Sequence, residues 1–76
     1  MTTVDIMFHT IDDIRGFVKE VSKFNSDVDV AKGSILLDGK SFSGLCSLEL
    51  NNKLKCSIHD DDEAEDIENV IRQYCV

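Results

Sequence analysis

Apolar residues along this chain change their spacing repeatedly, from every second residue to every third or fourth and back. That alternation restricts it to a mixed fold of short strands and helices. Val4, Ile6 and Phe8 alternate with Thr3, Asp5 and Met7, the period of a strand buried on one face. Thr10-Ile11-Asp12-Asp13 then reads as a helix start, with Thr10 as N-cap and two acids in the first turn, where the helix dipole favours negative charge. Ile11, Ile14, Val18 and Val21, with Phe17 and Phe24 alongside, recur at steps of three and four and predict a core-facing helix ended by Asn25-Ser26-Asp27. Val28 and Val30 alternate with acids, and Lys32-Gly33-Ser34 turns the chain into Ile35-Leu36-Leu37, which predicts a hairpin. Between Ser41 and Leu50 the apolar positions Phe42, Leu45, Cys46 and Leu48 lack strand alternation, so a short second helix is expected there. Leu54, Cys56 and Ile58 alternate against Lys53, Lys55 and Ser57 as a fourth strand, and Ile67, Val70, Ile71 and Tyr74 mark a closing helix. The order βαββαβα predicts an α+β open-faced sandwich: one four-stranded antiparallel sheet with three helices, the long ones on one face.

At 76 residues the chain can bury about 60% of the surface it exposes when unfolded, which allows one modest core and a single domain over residues 1–76. It has no proline and four glycines, so no linker is expected inside it. Cys46, Cys56 and Cys75 are an odd number without C-x-x-C or zinc-finger spacing, which argues against both a disulfide framework and a structural metal. No basic segment precedes a long apolar run, and no stretch approaches ~20 apolar residues. A cytoplasmic, reducing location with no membrane partner is the expectation. The formal charge of −7, from 15 acids against 8 bases, disfavours nucleic acid and anionic lipid and leaves basic protein surfaces as partners.

Six of those acids fall in the seven residues Asp60 to Asp66. The run lacks the glycine and the spaced glutamate of a calcium loop, so Asp60 to Asp62 are expected to cap the last helix and the other carboxylates to form its solvated face. His9 is expected at the end of the first strand or in the loop after it, and His59 beside Asp60 as a solvated histidine whose charge carboxylates stabilise. Neither has a nucleophile or metal partner at useful spacing, so no catalytic residue, metal or cofactor is expected and the chain does not read as an enzyme. Cys46 reads as a buried, inert thiol rather than a reactive one.

The element order, together with Phe17-Val18-Lys19-Glu20, Ser26-Asp27-Val28 and above all Lys40-Ser41-Phe42-Ser43-Gly44-Leu45-Cys46-Ser47-Leu48, resembles HPr, the phosphocarrier family of the bacterial sugar phosphotransferase system. The last segment is similar to the family pattern K-S-I-M-G-V-M-S-L. The resemblance spans roughly residues 2 to 74, with a shortened loop before the first helix. It implies a phosphorylatable histidine at that helix's N-terminus within H-x-R-P, and there the chain departs from the pattern. The histidine position falls on Thr10, the arginine position on Asp12, and Asp13 stands where the proline would be. A helix N-terminus attracts a phosphoryl group through free N–H groups, and an arginine adds charge-assisted bonds. Asp12 and Asp13 reverse that field, each contributing roughly 1 to 4 kcal/mol of repulsion at ~4 Å. His9 restores a histidine only with a one-residue insertion.

Lys40-Ser41 matches the serine that a kinase phosphorylates in HPr-like proteins of some Gram-positive bacteria, which makes Ser41 a candidate regulatory site; its residue-level reading is an N-cap worth about 1 kcal/mol. Phe42, Ser43, Leu45 and Cys46 lie where the family presents an apolar patch to partners, although Leu45 and Leu48 read equally well as core. Three functions remain open at this point: a non-carrier HPr-like regulator that docks on phosphotransferase-system enzymes, an HPr kinase or a regulator; an active carrier using His9; and an unrelated interaction domain of the same topology.

Overall fold

The structure is a computed structural model and describes residues 1–76. Four strands, β1 (Thr2–Ile6), β2 (Val28–Lys32), β3 (Ile35–Asp38) and β4 (Leu54–Ile58), form one antiparallel sheet in the order β1-β4-β2-β3. Three helices, α1 (Ile11–Val21), α2 (Phe42–Leu45) and α3 (Asp61–Ile71), complete the chain, with a 3-10 turn at Arg72–Tyr74. The sequence order βαββαβα is therefore the order observed.

The sheet's register follows from its period-two pattern. Ile58 pairs with Thr2 on one side and Val28 on the other, and Cys56 with Val4 and Val30, so these residues share the face that the helices cover. Asp5, Lys55 and Ala31 line up on the open face, as do Thr3, Ser57 and Asp29. Slipping any strand by one residue would exchange the two sets, which fixes the pairing. The hairpin between β2 and β3 closes through Gly33 and Ser34, and Gly33 has φ +60 while no other residue of that turn is left-handed. That matches a type II′ turn, whose first position favours glycine. Gly39 is needed for a different reason: its N–H donates to Val28 O at 2.6 Å, and a Cβ there would lie 2.7 Å from that same oxygen.

Ile14, Phe17 and Val21 of α1, Ala64, Ile67 and Ile71 of α3, and Leu45 and Leu48 around α2 pack on the sheet's covered face. Phe8, Phe17 and Tyr74 meet edge to face with ring centroids 5.2 to 5.9 Å apart, joining the loop after β1 to α1 and the C-terminal turn. Ser26, the buried polar residue of the core, ties the start of β2 to α3: its N–H donates to Glu63 Oε1 at 2.7 Å and its hydroxyl accepts from the Asp60 N–H at 2.8 Å.

Several local expectations are corrected. Phe8 is buried but lies past the end of β1, and α1 ends at Val21, short of Asn25-Ser26-Asp27, with Lys23 and Phe24 closing a turn onto Glu20 and Val21 carbonyls. Ile11, assigned to the core face, is exposed as the first residue of α1, ahead of the buried stripe that begins at Ile14. The second helix is a single turn, not a segment reaching Leu50. Within the acid run Glu63 is drawn off the solvated face by Ser26, while Asp60 caps α3 as expected, accepting from the Asp62 N–H at 2.9 Å. His59, by contrast, is exposed beside a carboxylate as read from the sequence, that of Asp29, whose Oδ2 lies 2.5 Å from its Nε2.

Candidate functional site

The short link from β1 delivers His9 and Thr10 to the start of α1, where a helix leaves N–H groups without internal partners. The chain satisfies one of them itself. Thr10 Oγ1 accepts from the Asp13 N–H at 3.1 Å, and Asp13 Oδ2 accepts from the His9 N–H at 2.9 Å, a reciprocal clasp akin to a capping box. Asp13 thus places a carboxylate in the first turn, at the positive end of the helix dipole. Asp12 stands beside it in the first turn and is paired with Arg15, one turn on.

His9 is exposed, and its ring is oriented: Nδ1–H donates to Asn51 Oδ1 at 2.7 Å, which leaves Nε2 as the free ring nitrogen. Asn51 comes from the link between α2 and β4. It adopts φ 64, a left-handed conformation that asparagine tolerates better than most residues, and its N–H donates to Phe8 O at 2.8 Å. Two bonds therefore hold the loop before α1 against the loop before β4.

The second part of the site is the turn of α2. Ser41 is its N-cap, with Oγ accepting from the Gly44 N–H at 3.2 Å. Lys40 anchors the approach: its Nζ donates to Phe24 O at 2.8 Å and its N–H to Asp38 Oδ1 at 2.9 Å. Phe42 is half-buried, Ser43 exposed and Cys46 half-buried. Leu45 is fully buried, so it belongs to the core and is removed from the candidate docking residues: a one-turn helix lying on the sheet must turn one residue inward, and Leu45 is that residue. Cys46, expected to be buried, keeps partial exposure beside it.

Arg15 joins the two parts, because its guanidinium lies 5.3 Å from the centroid of the Phe42 ring while it also pairs with Asp12. Asp12 and Phe42 are thereby linked through one side chain, with Ser41 and Ser43 flanking Phe42 in the turn. Arg15 and Asn51 were not singled out from the sequence. The Asn51-Asn52 pair is a turn signal that pointed to the second, whereas nothing local to Arg15 indicates Phe42, 27 positions away.

Of the titratable groups, burial pushes the Tyr74 hydroxyl above its ordinary range, with the charges of Asp13 and Glu20 adding to the shift. It also raises the Cys56 thiol to about 12 and pushes the Cys75 thiol up. No helix is long and apolar enough to cross a membrane.

No protein-family model matches the chain, and no curated protein sequence does either. Solved structures do. The chain is similar to HPr-C-His from Thermoanaerobacter tengcongensis, with a TM-score of 0.80 and 29% identity over 96% of this chain and 89% of that one. It is similar to the phosphocarrier protein HPr from Bacillus anthracis, with a TM-score of 0.77 and 18% identity over 96% of this chain and 95% of that one. The catabolite repression protein Crh of Bacillus subtilis also matches, with a TM-score of 0.68 and 23% identity over 90% and 84% of the two chains. Register, helix placement and these likenesses agree: the chain has the fold of the HPr phosphocarrier proteins.

Proposed function

We propose that this chain is a non-carrier variant of the HPr design, a docking protein without enzymatic activity whose surface is built from Phe42, Ser43 and Cys46 with Arg15 and the start of α1. The observation that carries this reading is the Asp13 carboxylate, which accepts the His9 N–H at the head of α1 and holds negative charge in the first turn that an incoming phosphoryl group would approach. Asp12 adds a second negative charge, and Arg15, the cation of that turn, is engaged with it. A phosphoryl group arriving there would meet repulsion of a few kcal/mol where a carrier offers attraction.

Phosphotransferase-system enzymes, an HPr kinase or a regulator fit the docking surface as partners, because a half-buried phenylalanine with a guanidinium over its ring is the kind of anchor that dominates protein interfaces. Ser41 supplies a switch. Its hydroxyl is one bond deep in the α2 cap, and phosphorylation would place nearly two negative charges beside Lys40 at the edge of the Phe42 patch. Incubation with ATP and an HPr kinase should then add one acid-stable phosphate to the wild type and none to Ser41→Ala, as read by intact mass. No addition in either would remove the switch.

The alternative of an active carrier through His9 draws on the exposed imidazole, whose Nε2 is unpaired. It requires an acid-labile phosphate that His9→Ala abolishes. If neither kinase nor transport components bind, an interaction domain unrelated to sugar transport becomes the better reading.

A further inference from the structure

The two edges of the sheet are finished differently. At β1, the C-terminal residues add a short extra pairing: Val76 N–H donates to Asp5 O at 3.0 Å, Met7 N–H to Tyr74 O at 2.8 Å, and Ile6 bridges Cys75. At β3 nothing comparable occurs, and no backbone bond outside the hairpin involves residues 33 to 37. The Gly39 N–H to Val28 O bond makes positions 28 and 39 a hydrogen-bonded pair. Such pairs alternate along an antiparallel ladder, so Lys32 with Ile35 and Val30 with Leu37 are also bonded pairs. The N–H and C=O of Leu36 therefore point away from β2 into solvent.

Side chains follow the same division. Leu36 is 65% exposed on the open face, and Ile35 is 52% exposed at the hairpin tip beyond the reach of the helices. An edge with free backbone groups and large apolar side chains is one that folded proteins ordinarily cover, charge or interrupt.

We infer that β3 is a self-association edge, with β3 of a second copy pairing antiparallel about Leu36. A two-fold axis perpendicular to the sheet keeps each face with its like, so only registers that pair same-face residues are allowed. Centred on Leu36, the two outward-facing backbones of Leu36 and its symmetry mate bond each other, Ile35 meets Leu37 of the second copy twice, and Ser34 meets Asp38 twice. Every apolar side chain of the strand finds an apolar partner. Centred on Leu37, Leu36 would instead face Asp38, and centred on Ile35 it would face Ser34. The sequence Ser34-Ile35-Leu36-Leu37-Asp38 is thus complementary to itself in one register. Four strand residues bury too little for a tight dimer, and each copy carries a charge of −7, so the association is weak and strengthens with salt as the net repulsion is screened.

The test is sedimentation equilibrium of the whole chain across concentration at low and high salt. A reversible dimer is expected, favoured by salt, with chemical-shift changes on dilution confined to β3 and its turn. Leu36→Asp, at an exposed position outside the core and with folding checked by thermal melting, should weaken it at least about tenfold by placing two carboxylates face to face at the centre. Ser34→Lys should tighten it several-fold by facing Asp38 of the second copy. A monomer at all concentrations up to about 1 mM, roughly the weak limit of specific association, overturns the inference. So does a dimer that Leu36→Asp leaves intact, and a dimer that Leu36→Asp disrupts but Ser34→Lys does not tighten overturns this register. Pairing with extended peptides but not with itself would assign the edge to a different partner.

Discussion

Cys56 shows how a single side chain sets a condition on the whole fold. It sits in the central strand β4 with no exposed surface, and burial raises its thiol from 9.0 to about 12. A group whose proton is held more tightly in the native state contributes its full stability below the unfolded value and loses it as the pH climbs toward the folded one. The Tyr74 hydroxyl, also raised, acts in the same direction. Denaturant midpoints should therefore fall between about pH 9 and about pH 12, with the slope reduced in Cys56→Ala. Thiol reagents at neutral pH should label Cys46 and Cys75 in the native protein and reach Cys56 only on unfolding. Gly39 offers a steric counterpart: Gly39→Ala would press a methyl against the Val28 carbonyl and should cost roughly 1 to 3 kcal/mol by chemical denaturation.

At the scale of elements, what could be read ahead of the structure was whatever repeats with a period. Val28, Val30, Leu54, Cys56 and Ile58 announced their strands because one face of each is buried, and Thr10, Ser41 and Asp60 announced helix starts because an N-cap is a local chemical requirement. Helix ends were less legible. The exit of α1 depends on a turn built from backbone bonds that leave no side-chain signature, and α2 has too few residues for any period to show. Ser41 caps that single turn through its side chain, so Ser41→Ala should lower stability by about 1 kcal/mol while leaving the sheet's spectrum intact. Asp13→Ala removes the clasp over α1 and should cost a similar amount, measured by thermal melting at neutral pH.

Across the whole molecule, the sheet order β1-β4-β2-β3 brings together what the chain separates. The link ending at Thr10, the turn beginning at Ser41 and the loop carrying Asn51 meet on one side, and that meeting was only partly visible in the sequence. The resemblance supplied the two ends of the site, His9 to Asp13 and Lys40 to Cys46. Arg15 over Phe42 and Asn51 under His9 are long-range contacts that no local pattern encodes. The same assembly corrected Leu45, because inward and outward positions on one helical turn are decided by what lies beneath it. On the proposed non-carrier reading, the chain has the HPr fold while its first helix starts with acids of its own.

That claim is tested most directly by incubating the protein with phosphoenolpyruvate and the general enzyme of the phosphotransferase system, then reading intact mass before and after acid treatment. The variant Thr10→His with Asp12→Arg and Asp13→Pro, run alongside, re-creates the carrier pattern and serves as the positive control. No acid-labile phosphate is expected on the wild type. A single acid-labile phosphate on the wild type, lost in His9→Ala, would contradict it and make the chain a carrier.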